Sequence, residues 1–291
     1  MDKSVRTAIG AKLQTAQKLK LPYTFEPNSV MNAQLNILPN EVPAETPWCQ
    51  YVAIGIGGMA VQLLDNNRRV EFQPIPHDPR HTGMYEQIPF VVRPVTADLE
   101  VAERARFRLR RLREINGILY AEYFLRKMDF TDTVVNLEYR QIIDGQVKSD
   151  IWHPSADDQY PVAPRVNPGQ VLVTGDDYVA SSAKNTFRFS SWDMQELLNV
   201  GRVLFQSEAA ITLTELAVCS GVDFQTRYDF NGLSLPFTES IGTQITDFVS
   251  TLIPVQFQQS GATVNLDIGS TEPLLAIKNA TSANRSSLTQ G

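Results

Sequence analysis

The chain has 291 residues, of which 43% are hydrophobic and 20% charged, and its formal net charge at pH 7 is −6. This composition is typical of a globular protein with a buried core, and it excludes a chain that is disordered, collagen-like or coiled-coil throughout. A net negative charge argues against a protein whose whole surface binds nucleic acid. Cys49 and Cys219 are too few and too far apart to indicate a disulfide framework or a cysteine metal site.

The sequence contains no signal for secretion or membrane insertion. Lys12, Lys18 and Lys20 interrupt the apolar residues near the N-terminus, so no secretory signal is recognisable there. No run of about 18 apolar residues occurs, which is the length that a membrane-spanning helix requires. We therefore expect a protein that is made and kept in a soluble, cytoplasmic setting and does not enter a membrane.

The first 48 residues predict a helix followed by an extended arm. Residues 3–20 carry apolar side chains at helical spacing, namely Val5, Ile9, Leu13 and Ala16, and their lysines and arginine lie elsewhere. Such a basic face is either solvated or binds an acidic neighbour. Five prolines in residues 21–48 make long regular elements improbable there, since proline removes a backbone donor. Residues 1–48 are thus assigned to an N-terminal helix and a proline-rich arm.

An arginine-rich β-hairpin is predicted next. Within Arg104–Arg113, the arginines at 104, 106, 108 and 110 alternate with Ala105, Phe107 and Leu109, which is the two-residue period of a strand with one buried face. Asn116-Gly117 tolerates the positive φ of a type I′ turn, and Ile118–Met128 provides the returning strand. We expect both strands to belong to an antiparallel sheet.

A second hairpin follows immediately. Thr133–Ile143 is rich in β-branched and aromatic residues, Asp144-Gly145 forms the turn and Gln146–Trp152 returns. Two consecutive hairpins predict an antiparallel β-hairpin region over residues 49–153.

The second half of the chain predicts mixed structure. After the proline-rich connection at 154–168, Ser191 is expected to cap a helix that extends to about Phe205. Ala209–Cys219 is predicted as a strand, Asn231-Gly232 as a further hairpin turn, and Ile245–Phe257 as an apolar element broken at Pro254.

Residues 154–275 therefore form a mixed α/β region, packed on the same sheet body, and residues 276–291 a polar flexible tail. Together the predictions define an α+β, β-rich fold, with antiparallel hairpin sheets, a few helices and extended arms.

Gly55-Ile56-Gly57-Gly58-Met59-Ala60 resembles a dinucleotide-binding turn. It follows the apolar run Tyr51–Ile54 and precedes Glu71, an acidic residue at roughly the position that would bind a ribose. However, only Val61–Asp65 separates the turn from the polar segment that follows, which is too short for the crossover helix of a βαβ unit. The alternative to a nucleotide site is a glycine-containing strand end or a close-packed turn.

The remaining candidates for chemistry are weak. His77 and His81 have helical spacing for a metal site, but the prolines around them predict a loop. Cys219 lacks the sequence context of a nucleophile and is expected to be a buried small hydrophobic residue. We predict no catalytic residues, no metal site and no cofactor.

Arg104, Arg106, Arg108 and Arg110, which we call the arginine row, form the unusual electrostatic feature of the sequence. On one face of a strand these cations would repel each other unless acidic groups lay opposite them. The acids could belong to another chain, which predicts an assembly interface, or to nucleic-acid phosphates. The alternative is a solvated face balanced by acids of the same chain, namely Glu103, Glu114, Glu122 and Glu138.

Several segments are similar to virion structural proteins of tailed bacteriophages. They are Met84–Val95, followed by Asp98-Leu99, then Tyr120–Arg126, Leu216–Asp223 and Asp267–Leu274. The resemblance implies a particle component that is present in many copies at the neck or tail, and it supplies no catalytic residues.

From the residues and this resemblance we expect a non-enzymatic virion protein that forms a homo-oligomeric ring or layer, at the head-to-tail connection or in tail assembly. Its expected partners are copies of itself and other neck, tail or portal-proximal proteins, with DNA only by proximity. The alternatives are a tail-tip or baseplate component that contacts the host and a nucleotide-binding enzyme that uses the Gly55–Ala60 turn.

Overall fold

The computed structural model describes residues 3–64, 69–207, 211–230, 233–255 and 261–279. These residues form antiparallel sheets with a few short helices, so the predicted α+β, β-rich class is confirmed. No helix among them is both long and apolar enough to cross a membrane.

Five α-helices are present in the described residues: α1 (Ala8–Leu19), α2 (Met31–Leu35), α3 (Val101–Arg104), α4 (Ala156–Gln159) and α5 (Ser191–Val200). A 3₁₀ turn covers Val95–Ala97, and a π-helical turn covers Gly201–Phe205. The strands are β1 (Lys3–Arg6), β2 (Trp48–Gly55), β3 (Met59–Leu64), β4 (Arg69–Pro74), β5 (Gln87–Ile88), β6 (Val91–Pro94), β7 (Phe107–Ile115), β8 (Ile118–Lys127), β9 (Val135–Ile143), β10 (Gln146–Ile151), β11 (Gln170–Ser190), β12 (Thr212–Phe230), β13 (Leu233–Pro254) and β14 (Gly261–Asn279).

The chain divides into two compact units. Unit 1 comprises residues 1–129 and 187–264, and unit 2 comprises residues 130–186 and 265–291. This division differs from the predicted segments, since the expected hairpin region 49–153 is split after residue 129. Proline content suggested a boundary near residue 154, but both hairpin strands on the N-terminal side of those prolines pair within unit 2.

Unit 1 is built on an eight-stranded sheet in which β13, β12, β2, β8 and β6 are successive neighbours. Strand β1 pairs with β13, β5 with β2, and β7 with β8. The central strands are apolar and fully covered, with Tyr51, Ala53, Leu125 and Ala217 inaccessible to solvent. Removing these side chains from water is the main source of stability of unit 1.

The predicted N-terminal helix is correct only from residue 8 onward, because residues 3–6 form β1. Thr7 ends the strand and caps α1: its Oγ1 accepts a hydrogen bond from the Gly10 N–H at 2.9 Å and lies 2.9 Å from the Ile245 carbonyl. Val5 fits the helical spacing of the apolar residues, but a single residue fits the two-residue period of a strand equally well. Residues 21–48 are extended as predicted, apart from α2.

Both predicted hairpin turns of the first half are confirmed. Asn116 and Gly117 have φ values of 51° and 79°, and Asp144 and Gly145 have values of 52° and 74°. The strands β7 and β8 pair up to Ile115 and Ile118, and β9 and β10 up to Ile143 and Gln146.

The predicted C-terminal helix is present as α5 with its π-helical continuation to Phe205. Its cap is Ser190 rather than the predicted Ser191, since Ser190 Oγ accepts from the Asp193 N–H at 3.2 Å. The predicted strand is present from Thr212, and β13 ends at Pro254 as expected.

Four predictions of the second half fall partly or wholly outside the described residues. Residues 209–210 of the predicted strand Ala209–Cys219 and residues 256–257 of the predicted element Ile245–Phe257 are not among them. The turn Asn231-Gly232 lies outside them, although Phe230 and Leu233 pair on either side of it. The predicted tail at 276–291 is wrong for residues 276–279, which belong to β14, and residues 280–291 lie outside the described part.

Unit 2 consists of one four-stranded sheet in the order β10–β9–β11–β14, together with α4 and connecting segments. Its buried apolar side chains, among the residues described, are Ala180 and Leu266. The described part of unit 2 contains no second sheet and no helix longer than four residues, whereas stable domains normally pair two layers.

We predict that Gly10→Ala destabilises unit 1, although alanine is favoured by about 1 kcal/mol over glycine inside a helix. A Cβ at residue 10 would overlap the backbone carbonyl of Thr246 on β13, which cannot move without disturbing the sheet. The net loss should be roughly 1–3 kcal/mol in urea unfolding. Gly83→Ala is the control, because its Cβ would meet only the Gln34 side chain at 3.7 Å. A stabilised Gly10→Ala protein would contradict this packing.

Candidate functional site

The structure does not place the arginine row on one strand face. Arg104 is the last residue of α3, Arg106 precedes β7, and only Arg108 and Arg110 lie within β7. The prediction of a continuous strand from Arg104 is therefore wrong. The residues Val101–Arg104 instead close a helical turn, in which the Ala105 N–H donates to the Val101 carbonyl at 3.1 Å.

All four arginines of the row form ion pairs with acids of unit 1. Arg108 binds both carboxylate oxygens of Asp223, at 2.7 and 3.1 Å, and Arg110 Nη2 donates to Asp98 Oδ2 at 2.7 Å. Arg104 lies 3.4 Å from Asp98, and Arg106 lies 3.3 Å from Asp193. The reason given for an assembly interface, a row of unbalanced cations, is thus wrong, while contact of these residues with another chain stays a prediction.

Asp98 is the acidic partner of both Arg110 and Arg104. Its carboxylate also accepts hydrogen bonds from the Tyr123 hydroxyl and from the Leu99 N–H, both at 2.7 Å. The Arg110 guanidinium lies 4.1 Å from the centre of the Tyr228 ring, so that one face of the cation stacks on an aromatic ring. Burial, followed by the charge of Asp98, raises the pKa of Tyr123 above its ordinary value. The phenol therefore remains a neutral hydrogen-bond donor.

Asp223 is the acidic partner of Arg108. Besides Arg108, it accepts from Lys127 Nζ at 2.8 Å and from the Tyr51 hydroxyl at 2.6 Å. Burial alone would raise the pKa of Asp223, but the hydrogen bonds from Arg108, Lys127 and Tyr51 lower it well below its usual range. The carboxylate therefore links β12 to β7, β8 and β2.

A third buried acid, Glu239 on β13, binds the backbone of β7. Leu109 has a φ of 52°, an unusual value for a strand residue, and its N–H donates to the Glu239 carboxylate instead of to a neighbouring strand. The N–H groups of Arg110 and Ser240 donate to the same carboxylate at 2.9 and 3.0 Å. Burial raises the pKa of Glu239 to about 7.

A cavity of about 570 Å³ opens beside this carboxylate. Its wall includes Arg110, Arg111, Arg227, Tyr228, Phe237 and Glu239. Arg110 already binds Asp98, Arg111 Nε donates to Glu122 at 2.7 Å, and Glu239 accepts three backbone N–H groups. These charged groups therefore hold the sheet together, and the cavity carries no arrangement of a nucleophile and a base among the described residues.

The glycines of the Gly55–Ala60 turn surround a carboxylate of the chain itself. Glu215 accepts hydrogen bonds from the Gly57 and Glu86 N–H groups at 3.1 and 3.0 Å and from Tyr85 N–H at 3.2 Å. A Cβ on Gly55 would lie 2.5 Å from Glu215 Oε1, which explains the small residue. The position that a phosphate would need is filled by Glu215.

The chain after this turn forms β3, which pairs antiparallel with β4, and no helix lies between the turn and β4 in the described residues. The strand–turn–helix that the nucleotide-binding alternative requires is therefore missing from this segment. The structure agrees with the other interpretation, a glycine-containing strand end packed closely against its neighbours.

His77 lies in a loop, as the prolines predicted, and binds the same carboxylate. Its Nε2 is 2.7 Å from Glu215 Oε2, and its Nδ1 is 3.1 Å from Nδ1 of His81. The imidazole stacks on Phe248 at a centroid distance of 3.6 Å. Burial would raise the pKa of Glu215, but the hydrogen bonds from His77, Glu86 and Tyr85 lower it. No group of three metal-binding side chains occurs in the part of the chain that the structure describes.

Cys219 is fully buried and carries a free thiol, which confirms the prediction of a small core residue. Burial, with Cys49 nearby, raises the pKa of the Cys219 thiol above its ordinary value, so the reactive thiolate is disfavoured. This environment is that of a packing residue rather than of a nucleophile.

The surface that the sequence analysis missed lies on unit 2. More than half of the exposed large apolar side chains in the described residues belong to this unit. They are Val134, Val135, Leu137, Ile142, Ile143, Val147, Ile151, Tyr160, Val162, Val166, Leu172, Leu274, Leu275 and Ile277. The available signal was that apolar residues occupy both alternating positions, as in Val134-Val135 and Ile142-Ile143, which is typical of a sheet covered on both faces.

Charged side chains hold one face of this sheet together. Glu138 on β9 lies 2.7 Å from Lys184 Nζ and 2.8 Å from Arg140 Nη2, and it accepts from the Ser149 hydroxyl at 2.5 Å. Burial opposes ionisation, but Lys184, Ser149 and Arg140 lower the pKa of Glu138 to about 2. Val135 and Leu137 alternate with Glu138, so they lie on the opposite face, where both are exposed.

These features define a β-rich protein with a self-sufficient sheet body in unit 1 and a single-layer, partly apolar sheet in unit 2. The chain belongs to a family of unknown function, DUF7208, whose match covers residues 1–283. No curated protein and no solved structure matches it. Family membership therefore supplies neither a reaction nor a partner.

We predict that Asp98→Ala reduces the free energy of unfolding by about 3–5 kcal/mol, because it leaves the buried Arg110 cation without its carboxylate. Urea unfolding followed by fluorescence measures the loss. Asp78→Ala is the control, since it removes a carboxylate whose partner, Arg80, is exposed, and its stability should stay close to that of the wild type. Equal stability of the two variants would contradict a structural role of the Asp98 pairs.

We predict a pH dependence of stability from Glu239. Its pKa is raised in the folded state, so the folded protein binds this proton more tightly than the unfolded chain does. The stabilisation is complete below the ordinary value of 4.5 and is lost as the pH rises to about 7. Unfolding measured across this interval should show a smaller decrease for Glu239→Gln than for the wild type. Glu114→Gln, an exposed change on β7, should leave the decrease unaltered, and an equal effect of both would refute the assignment.

Proposed function

We propose that the chain is a structural component of a tailed-phage virion and forms a homo-oligomeric ring or layer in the neck or tail. The single observation that carries this proposal is the sheet of unit 2, whose apolar side chains are exposed although sheets normally bury a face. Exposed apolar surface on such a scale is typical of a protein that is covered by partners in its assembled state.

The distribution of charge partners supports a structural role. The buried carboxylates of unit 1, Asp98, Asp223 and Glu239, are each bound by cations or backbone N–H groups of the same chain. Such partnered groups rigidify a fold. Unit 1 then acts as the rigid body, and unit 2 presents the surface that binds neighbours.

The segments similar to phage virion proteins agree with this division. Met84–Val95, Tyr120–Arg126 and Leu216–Asp223 contribute to β6, β8 and β12, which belong to the same sheet of unit 1. Asp267–Leu274 lies in β14, at one edge of the unit 2 sheet. The resemblance therefore follows the strands that build both units rather than a cavity.

The proposal predicts that the charged double variant Val135→Glu/Leu137→Glu fails to form the complete wild-type oligomer while it remains folded. Both side chains are exposed, at 67% and 38%, so their replacement removes little from the core. Sedimentation velocity measures the assembly, and urea unfolding checks the fold. The control is Val101→Glu, which changes a 75% exposed residue of unit 1 and should assemble normally. A wild-type-sized oligomer of the double variant would contradict the role of this face.

The location in the particle tests the virion assignment directly. Mass spectrometry of purified phage particles should detect the chain in multiple copies, and cryo-electron microscopy should place it in a ring or layer of the neck or tail. Density at the tail tip instead would favour the host-contact alternative. Absence of the chain from particles would end the proposal.

A further inference from the structure

Strand β10 is an edge strand with one unpaired side. It lies at the end of the order β10–β9–β11–β14, and no strand of the described chain pairs with its outer edge. All six of its residues, Gln146–Ile151, are exposed. An exposed edge offers a row of backbone N–H and C=O groups to which another strand can pair.

The pairing with β9 determines which backbone groups point outward. Ile143 and Gln146 flank the two-residue turn, and the Trp152 N–H donates to the Leu137 carbonyl at 2.9 Å. In an antiparallel ladder, hydrogen-bonded pairs alternate with non-hydrogen-bonded pairs. Residues 146, 148, 150 and 152 therefore point their backbone groups toward β9, and residues 147, 149 and 151 point theirs to the free edge.

The sequence of this edge is complementary to itself about Ser149. When two copies of β10 run antiparallel with Ser149 opposite Ser149, Val147 faces Ile151, and Lys148 faces Asp150. The apolar pairs and the central serines are the hydrogen-bonded positions, so the outward N–H and C=O groups are all satisfied. The charged pairs occupy the non-hydrogen-bonded positions, where opposite side chains approach most closely.

Neighbouring registers lack this match. A shift that keeps the outward backbone groups opposite each other places either Lys148 against Lys148 or Asp150 against Asp150. Within one chain, Lys148 and Asp150 lie 3.8 Å apart and are about two-thirds exposed, at 64% and 65%. Such a surface pair contributes little, so both charges remain available to a second strand.

We propose that two copies of this chain pair through β10, antiparallel and centred on Ser149, so that their unit 2 sheets join into one continuous sheet across a two-fold axis. The occupant is a second copy because the charge pattern of the edge matches itself in a single register. The pairing specifies one contact within the homo-oligomer proposed above and rests on that proposal for its biological setting. In the joined sheet, Val135 and Leu137 of both copies lie on the same side, which also carries the Lys148–Asp150 pairs.

The test uses charge reversal in the full chain. Lys148→Asp places a second carboxylate opposite Asp150 in both halves of the contact, and Asp150→Lys places two lysines opposite each other. Each single variant should raise the dissociation constant of the dimer at least about tenfold, measured by sedimentation equilibrium. The double variant Lys148→Asp/Asp150→Lys restores opposite charges and should return to the wild-type constant.

Mixing the two single variants gives a result that misfolding could not produce. The two single variants together should form a heterodimer, because each position of one chain then faces the opposite charge of the other. Arg165→Asp and Asp157→Lys are the matched controls, since they change the net charge equally at exposed sites outside β10. A loss of dimer in these controls as large as that in the β10 variants would refute a specific contact.

The proposal is overturned if the single variants dimerise like the wild type, if the double variant is not rescued, or if the wild type stays monomeric at every concentration. Analysis of phage particles separates this failure from that of the proposed function. A chain that is present in particles but lacks the β10 dimer refutes the edge pairing alone. A chain that is absent from particles refutes the virion role, whatever its behaviour in solution.

Discussion

The need of every β-sheet to bury at least one face governs this protein. Unit 1 meets that need within the chain: helices and connections cover its central strands, and Tyr51, Ala53 and Leu125 are inaccessible to solvent. Unit 2 does not meet it, because its four strands form a single layer whose buried apolar side chains, among the described residues, are Ala180 and Leu266. The exposed large apolar side chains of the described residues therefore lie mainly on unit 2, where the proposed partners would bind.

Buried carboxylates connect the strands of unit 1. Asp98, Asp223 and Glu239 bind arginines or backbone N–H groups of β7, and Glu215 binds the backbone of two loops together with His77. A buried charge is tolerated only when it is fully partnered, and removal of one partner is costly. These contacts fix the geometry of the arginine-bearing strand. They also explain why an arginine-rich sequence yields a structural core rather than a basic surface.

The local elements were predictable wherever short-range chemistry decides the outcome. Asn116-Gly117 and Asp144-Gly145 identified their hairpins because few other residues accept positive φ, and the break at Pro254 follows from the missing N–H group. The arginine row was misplaced because alternation alone cannot distinguish a strand from a helical turn at Val101–Arg104. Two of the acids that pair with it are remote in sequence: Asp193 is 87 residues from Arg106, and Asp223 is 115 residues from Arg108. Sequence spacing carries no information about such contacts.

Contacts between residues remote in sequence also decided the outcome at the Gly55–Ala60 turn and at the division into two units. The Gly55–Ala60 turn suggested an anion site, and an anion is bound there, but Glu215 supplies it from a distant strand. Likewise, the division into units depends on β11 and β14, whose partners are remote in sequence. By contrast, the exposed character of unit 2 could have been noticed from Ile142-Ile143, since a sheet with one solvated face rarely carries apolar residues at consecutive positions.

The order in which unit 1 receives its strands has a consequence for biosynthesis. Strands β12 and β13 of unit 1 follow residues 130–186 in the chain. The ribosome therefore synthesises β2 and β8 long before β12, which is the other neighbour of β2 in the sheet. At about 5–20 residues per second, the nascent chain exposes the apolar side chains of β2 for about 8–30 s before β12 begins. Productive folding of this protein thus depends on keeping an incomplete sheet soluble until translation reaches residue 254.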